Sequence, residues 1–311
     1  MDSHSSPDTA KPDHGLPPVR PPSGRFIAQL FVIPGLIICV VVLLFLGSTF
    51  LVTHEREPVY FLNQLDSDNA DIRWRGASDL AQILKRPGAA TLPWKADPKF
   101  ALDLAERLDL AFQRLLKEEK AIGALFAASA DHENKHLLWR KLRQDRDLVS
   151  FLASALGEFY APVGAPVLCA IVKYESSPDL AGNTLQRRKA LWALINMGKN
   201  LKDFAQMAPE QKHDLIAKLK AEALASSGPR ADGALTALYY LDKTALPGRS
   251  MQGVVKVDET LVATAEAEDR FLRELTAMSF NFWDGDKAEA TLLKLASDTG
   301  RDTLVRVEEK D

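Results

Sequence analysis

DNADIRWRGASDL, Asp68 to Leu80, opens on an acidic and amide turn and then becomes regular. Counting from Arg73, offsets of three and four reach Gly76 and Ala77, and offsets of seven and ten reach Leu80 and Ile83. Such offsets fall on one helix face. Small residues at its start let a neighbouring helix come close. The same offsets from Arg187 give Ala190, Leu191, Leu194 and Met197, and from Arg230 they give Gly233, Ala234, Ala237 and Tyr240. Val149 starts a fourth copy with Leu152, Ala153, Leu156 and Phe159. These four starts are 76, 38 and 43 residues apart in turn. A period near ~40 predicts stacked helical hairpins.

Outward from that stretch the punctuation is helical. Asp66-Ser67-Asp68-Asn69 is a turn cluster ahead of the amphipathic run Ala70–Leu84, and Arg86-Pro87-Gly88 stops it. Lys99–Leu116 carries Leu102, Ala105, Leu108, Leu110, Phe112 and Leu115 at helical spacing. Ser177-Pro178 and Gly228-Pro229 place proline at a first helical turn, and Gly198 reads as a C-terminal glycine. Gly253–Val257 is the one candidate strand, short enough to be a loop. The expected class is all-α. The repeat lapses near Ala111, where offset three is Arg114, and near Arg270, where offset four is Glu274. Residues 85–145 fit a non-repetitive bundle as well.

The run Asp68 to Leu80 resembles the second-helix opening of the HEAT-repeat family, with its acidic turn, apolar-Arg pair, two small residues and Leu. Leu185-Gln186-Arg187-Arg188-Lys189-Ala190-Leu191-Trp192-Ala193-Leu194 is a looser version. The resemblance implies an α-solenoid of HEAT-like hairpins over residues 58–311, a curved stack whose concave face binds another protein.

Ahead of that domain lies FIAQLFVIPGLIICVVVLLFLGSTFLV, Phe26 to Val52, which has no Asp, Glu, Lys, Arg or His. As one helix it would extend roughly 40 Å at ~1.5 Å per residue, enough for a bilayer core of ~30 Å. The expectation is an uncleaved transmembrane helix over 26–52 acting as a tether. No intramembrane charge marks a transport path. Residues 1–25 hold six prolines and little apolar surface, so a disordered tail is expected. Arg20 and Arg25 precede the span, and Arg56 follows beside Glu55 and Glu57. The positive-inside rule then predicts a single-pass protein with a cytoplasmic N-terminus and an extracytoplasmic C-terminal domain.

Composition removes some classes. The 39 basic and 42 acidic residues give −3, which argues against a general nucleic-acid binder. Two cysteines, Cys39 and Cys169, build no disulfide framework. Phosphate-binding glycine loops and the G-x-S-x-G elbow are absent from the sequence.

His132-Glu133-Asn134-Lys135-His136 is a formal H-E-x-x-H. On a helix it would place two imidazoles one turn apart for Zn²⁺, with Glu133 as general base. Lys135 would oppose the metal charge, Asp131 looks like an N-cap, and the third ligand is unclear: Glu158 is at a tolerable sequence distance but lies inside a repeat-like helix. Asp66, Asp68 and Asp71 lack calcium-loop spacing. Asp284-Gly285-Asp286 reads as a turn and cap for a helix over Lys287–Ala296. Cys169, in the apolar run Val167–Val172, reads as core. The basic run Lys135, Arg140, Lys141, Arg143 and Arg146 reads as a solvated face. Trp74, Trp94, Trp139, Trp192 and Trp283 read as core or inter-repeat packing.

Together these features predict a membrane-anchored helical-repeat protein that binds or scaffolds another protein. No catalytic residue, cofactor or metal is expected, and the partner would dock on the solenoid surface. The alternative is a membrane-tethered zinc-dependent hydrolase using His132, Glu133 and His136.

Overall fold

Asn69 accepts a hydrogen bond from the Asp71 amide at 2.9 Å and so starts the helix that carries the Arg73 pattern. Its surroundings come from a computed structural model describing residues 24–52, 57–86, 88, 92–128, 132–176, 182–249, 251–283, 285 and 287–297. The proline-rich tail falls outside these up to residue 23, as do Asp131, Ser177-Pro178, Asp284 and Asp286. The chain divides into two units, Met1–Arg56 and Glu57–Asp311.

The first unit contributes one helix, α1 (Gly24–Val52), with Pro34 inside it. Here the membrane expectation is corrected: among the described residues no helix is long and apolar enough to cross a membrane. An N-terminal transmembrane helix over 26–52, a single-pass location and the orientation derived from them are therefore not supported.

The second unit is built from helices joined by turns and loops: α2 (Pro58–Leu65), α3 (Ala70–Lys85), α4 (Leu92–Lys95), α5 (Pro98–Ala128), α6 (His132–Leu156), α7 (Ala165–Lys173), α8 (Thr184–Gln206), α9 (Pro209–Ala225), α10 (Pro229–Leu241), α11 (Val257–Thr264), α12 (Arg270–Ser279) and α13 (Ala288–Ser297). No strand occurs among the described residues. Gly253–Val257 is loop that runs into α11, with Gly253 in the left-handed region at φ 84°.

Pairs form as α2 with α3, α5 with α6, α7 with α8 and α11 with α12. Second helices pack in series, α3 on α6, α6 on α8 and α8 on α12. First helices do likewise, α2 on α5, α5 on α7 and α7 on α11. The result is two rows of helices with one continuous apolar core between them. Within it Phe61, Trp94, Phe100 and Phe159 form a chain of rings 6.1, 6.3 and 5.5 Å apart. Trp283 closes the far end: its indole N–H donates to the Leu194 carbonyl at 2.8 Å, and its ring lies 4.8 Å from Tyr240.

The arginine at the repeat start has a defined job. Arg73 Nη1 donates to the carbonyls of Ser67 and Asp68 at 2.7 and 2.9 Å. Arg187 reaches back likewise, its Nε donating to Val172 O at 2.8 Å. Arg187 ties α8 to the end of α7, and Arg73 ties α3 to the turn that follows α2.

Three sequence assignments shift. The pattern that lapses near Arg270 is out of frame by three: Arg273 is the staple, and its offsets give Thr276, Ala277, Phe280 and Trp283, all buried. The copy at Arg230 lies on α10, which with α9 forms an added hairpin against α5 and α7. There Arg230 pairs with Glu222, Asp103 and Glu106 at 2.8, 2.7 and 3.1 Å, joining α10 to α9 and α5. Gly198, expected at a helix end, sits inside α8, where Phe282 leaves no space for a Cβ.

Candidate functional site

Helix α6 begins at the H-E-x-x-H segment, so its backbone is helical there as the zinc reading requires. The side chains of His132 and Glu133 lie outside those described. His136 is exposed and lines a cavity. Glu158 is not brought to it: some twenty residues of α6 separate them, about 30 Å at ~1.5 Å per residue. Glu158 instead pairs with Lys95 at 3.4 Å. Among the described residues no three His, Cys, Asp or Glu converge as metal ligands.

The cavity, of about 640 Å³, lies between α6 and the start of α8. Helix α6 supplies His136, Trp139, Arg140, Arg143, Arg146 and Asp147, spaced so that they share one face. The approach to α8 supplies Gly182, and its first turn supplies Thr184, Leu185 and Gln186. Gly182 sits at φ 62°, a left-handed turn that suits glycine.

Behind this wall is a buried polar network. Glu119, 2% exposed on α5, accepts from Arg146 Nε and Nη2 at 2.9 and 2.7 Å and from the Tyr174 hydroxyl at 2.7 Å. Burial, then the bond to Glu119, pushes the Tyr174 phenol up to about 12. Arg146 Nη2 also donates to Ser176 Oγ at 3.0 Å. One residue before Arg146, Asp145 is pushed up to about 7 by burial and by the neighbouring Glu118 carboxylate. Lys141 pairs with Glu118 at 3.0 Å. The basic run is thus divided: Lys141 and Arg146 are committed to structural carboxylates, whereas Arg140 and Arg143 are exposed and form no ion pair within 4 Å among the described residues.

A second feature, missed in the sequence, is a strip along α8 and α12. Trp192, read as core or inter-repeat packing, is 43% exposed, and Phe271 is 56% exposed. The Arg188 guanidinium stands 4.5 Å over the Phe271 ring and pairs with Asp269 at 2.6 Å. Lys199 lies 5.6 Å from both the Trp192 and Phe282 rings, and Lys202 lies 4.9 Å from Phe282. Seven-residue spacing of Leu185, Trp192 and Lys199 was the available signal; it puts all three on one face. Cys169 is buried as expected, and burial raises its thiol to about 11, which removes thiolate chemistry near neutral pH.

No protein-family model matches the chain, and no curated protein matches it.

Proposed function

We propose that this chain is a HEAT-like helical-repeat module that mediates protein–protein interaction or scaffolding, without a catalytic role. The serial packing of second helices and the arginine staples support the solenoid reading. The interaction reading rests on one observation, the exposed strip of Trp192, Phe271, Arg188 and Lys199 along α8 and α12. Exposed Trp beside Arg is the chemistry of interface anchors, since large rigid rings bury much area at small entropic cost. Contiguous exposed apolar surface rimmed by charge is the pattern that marks interaction sites.

Crosslinking with mass spectrometry on the full-length chain in its own cells tests the reading. Lysine crosslinks from a discrete partner should map to Lys199 and Lys202 on the strip. Crosslinks confined to Lys218 and Lys220 on α9 would refute it.

A further inference from the structure

Three features of the cavity between α6 and α8 bear on what it can hold. The lining carries three guanidiniums against one carboxylate, Asp147. Arg146 is engaged by Glu119, and Arg143 acts at longer range on Asp147; Arg140 and Arg143 are exposed on α6 and form no ion pair within 4 Å among the described residues.

The second feature is the open start of α8, a 23-residue helix with no acidic residue in its first turn. Its N-cap Asn183 makes no capping bond. The Asn183 side chain is used elsewhere: Nδ2 donates to Tyr174 O at 2.8 Å, and Oδ1 accepts from Ser176 N at 3.1 Å. The first backbone N–H groups of α8 therefore keep their donors and the positive end of the dipole free, beside Thr184 and Leu185 on the cavity wall.

The third is Gln186. It is 6% exposed, lines the cavity, and its amide makes no hydrogen bond among the described residues. A largely buried side chain whose amide has no protein partner leaves a donor and an acceptor available to whatever fills the cavity.

We propose that this cavity binds a phosphate monoester, with Arg140 and Arg143 as charge partners and the α8 amides, Thr184 and Gln186 as neutral donors. Phosphate fits better than carboxylate because its three terminal oxygens and roughly −1.5 to −2 charge can use this many donors. The volume exceeds that of the phosphate group itself, and Trp139 and Leu185 offer apolar walls to the group esterified to it. The site meets the α8–α12 strip only at Leu185, and its proposed charge partners Arg140 and Arg143 lie on α6, so loss of protein binding at Trp192 and Phe271 leaves it intact.

Calorimetric titration of the full-length chain with inorganic phosphate, phenyl phosphate, a phosphoserine peptide and acetate tests the assignment. Saturable binding of phosphate and of at least one monoester is expected. Arg140→Gln/Arg143→Gln should weaken it at least about tenfold, since charge-assisted hydrogen bonds dominate such sites. These side chains are exposed, so the thermal midpoint should not change; Gln186→Leu should weaken binding less and raise or preserve that midpoint. Tighter peptide binding identifies a phosphorylated protein as the source, and tighter phenyl phosphate binding a small molecule; both orders support the site. No saturable phosphate binding, acetate binding equal to phosphate, or unchanged affinity in the double variant would overturn it.

Discussion

Arg73 and Arg273, on the first and last second-row helices, make the same pair of hydrogen bonds. Arg73 donates to the carbonyls five and six residues before it, and Arg273 does so to Glu268 and Ala267 at 2.7 and 2.6 Å. Each follows an N-cap, Asn69 or Asp269, that accepts from an amide of its own first turn. The two ends of the stack are thus closed by one device. Arg273→Met should destabilise the fold by roughly 1–3 kcal/mol, because two carbonyls lose a charged donor and one side is buried. Arg73→Met should cost less, since Arg73 is only half-buried. Urea denaturation of both variants measures the order.

The ion pair behind the cavity offers a sharper contrast. Glu119→Gln removes a charge from a pair that is almost wholly buried, leaving Arg146 uncompensated, and should cost about 3–5 kcal/mol. Glu119→Leu combined with Arg146→Met should recover part of this, since paired apolar replacement restores the balance of desolvation. Equal losses in the single and double variants would contradict the pairing.

Stability should fall as pH rises from about 4 to about 7. Asp145 is pushed up from 3.8 to about 7 in the folded chain, so the native state holds its proton more tightly than the unfolded chain does. The stability this group contributes is complete below the unfolded value and is lost as pH climbs through the folded one. The buried Glu118 Oε2 has no donor among the described residues, and the Asp145 carboxyl supplies one only when protonated. Asp145→Asn should flatten the pH profile of the denaturation midpoint over this range.

Gly233→Ala should destabilise despite alanine's helix propensity. A Cβ there would lie 2.7 Å from the Val163 carbonyl oxygen, a backbone atom that cannot rotate away. Overpacking of ~1–3 kcal/mol outweighs a propensity gain of up to ~1 kcal/mol. A raised thermal midpoint would show that α10 does not pack as closely on the 163 carbonyl as described.

Much of this architecture was legible because helix faces repeat at short offsets. Gly76, Ala77 and Leu80 announced a close-packed face, and α3 has it buried. Offsets report what a face touches, however, and not which row it occupies; hence Arg230 looked like a repeat start while belonging to the added hairpin. The frame at α12 was lost because Arg270 and Arg273 compete as starts, and only the carbonyls of Ala267 and Glu268 decide between them. Trp192 was misplaced for a related reason: hydrophobicity favours burial, yet its position one residue after buried Leu191 turns it outward. The apolar run at 26–52 was legible as composition alone. The cavity was invisible in the sequence, since Arg140 and Gln186 are 46 residues apart and meet only through the pairing of α6 with α8.

The claim that the α8–α12 strip is an interaction face is tested most directly by affinity. With the partner identified by crosslinking at Lys199 or Lys202, titration against the wild-type chain, Trp192→Ala and Phe271→Ala measures what the two rings contribute. A loss of about 30-fold or more for Trp192→Ala, on the order of 2 kcal/mol, is the predicted result for a hot-spot anchor. Affinity unchanged in both variants, with their thermal midpoints intact, would contradict the account.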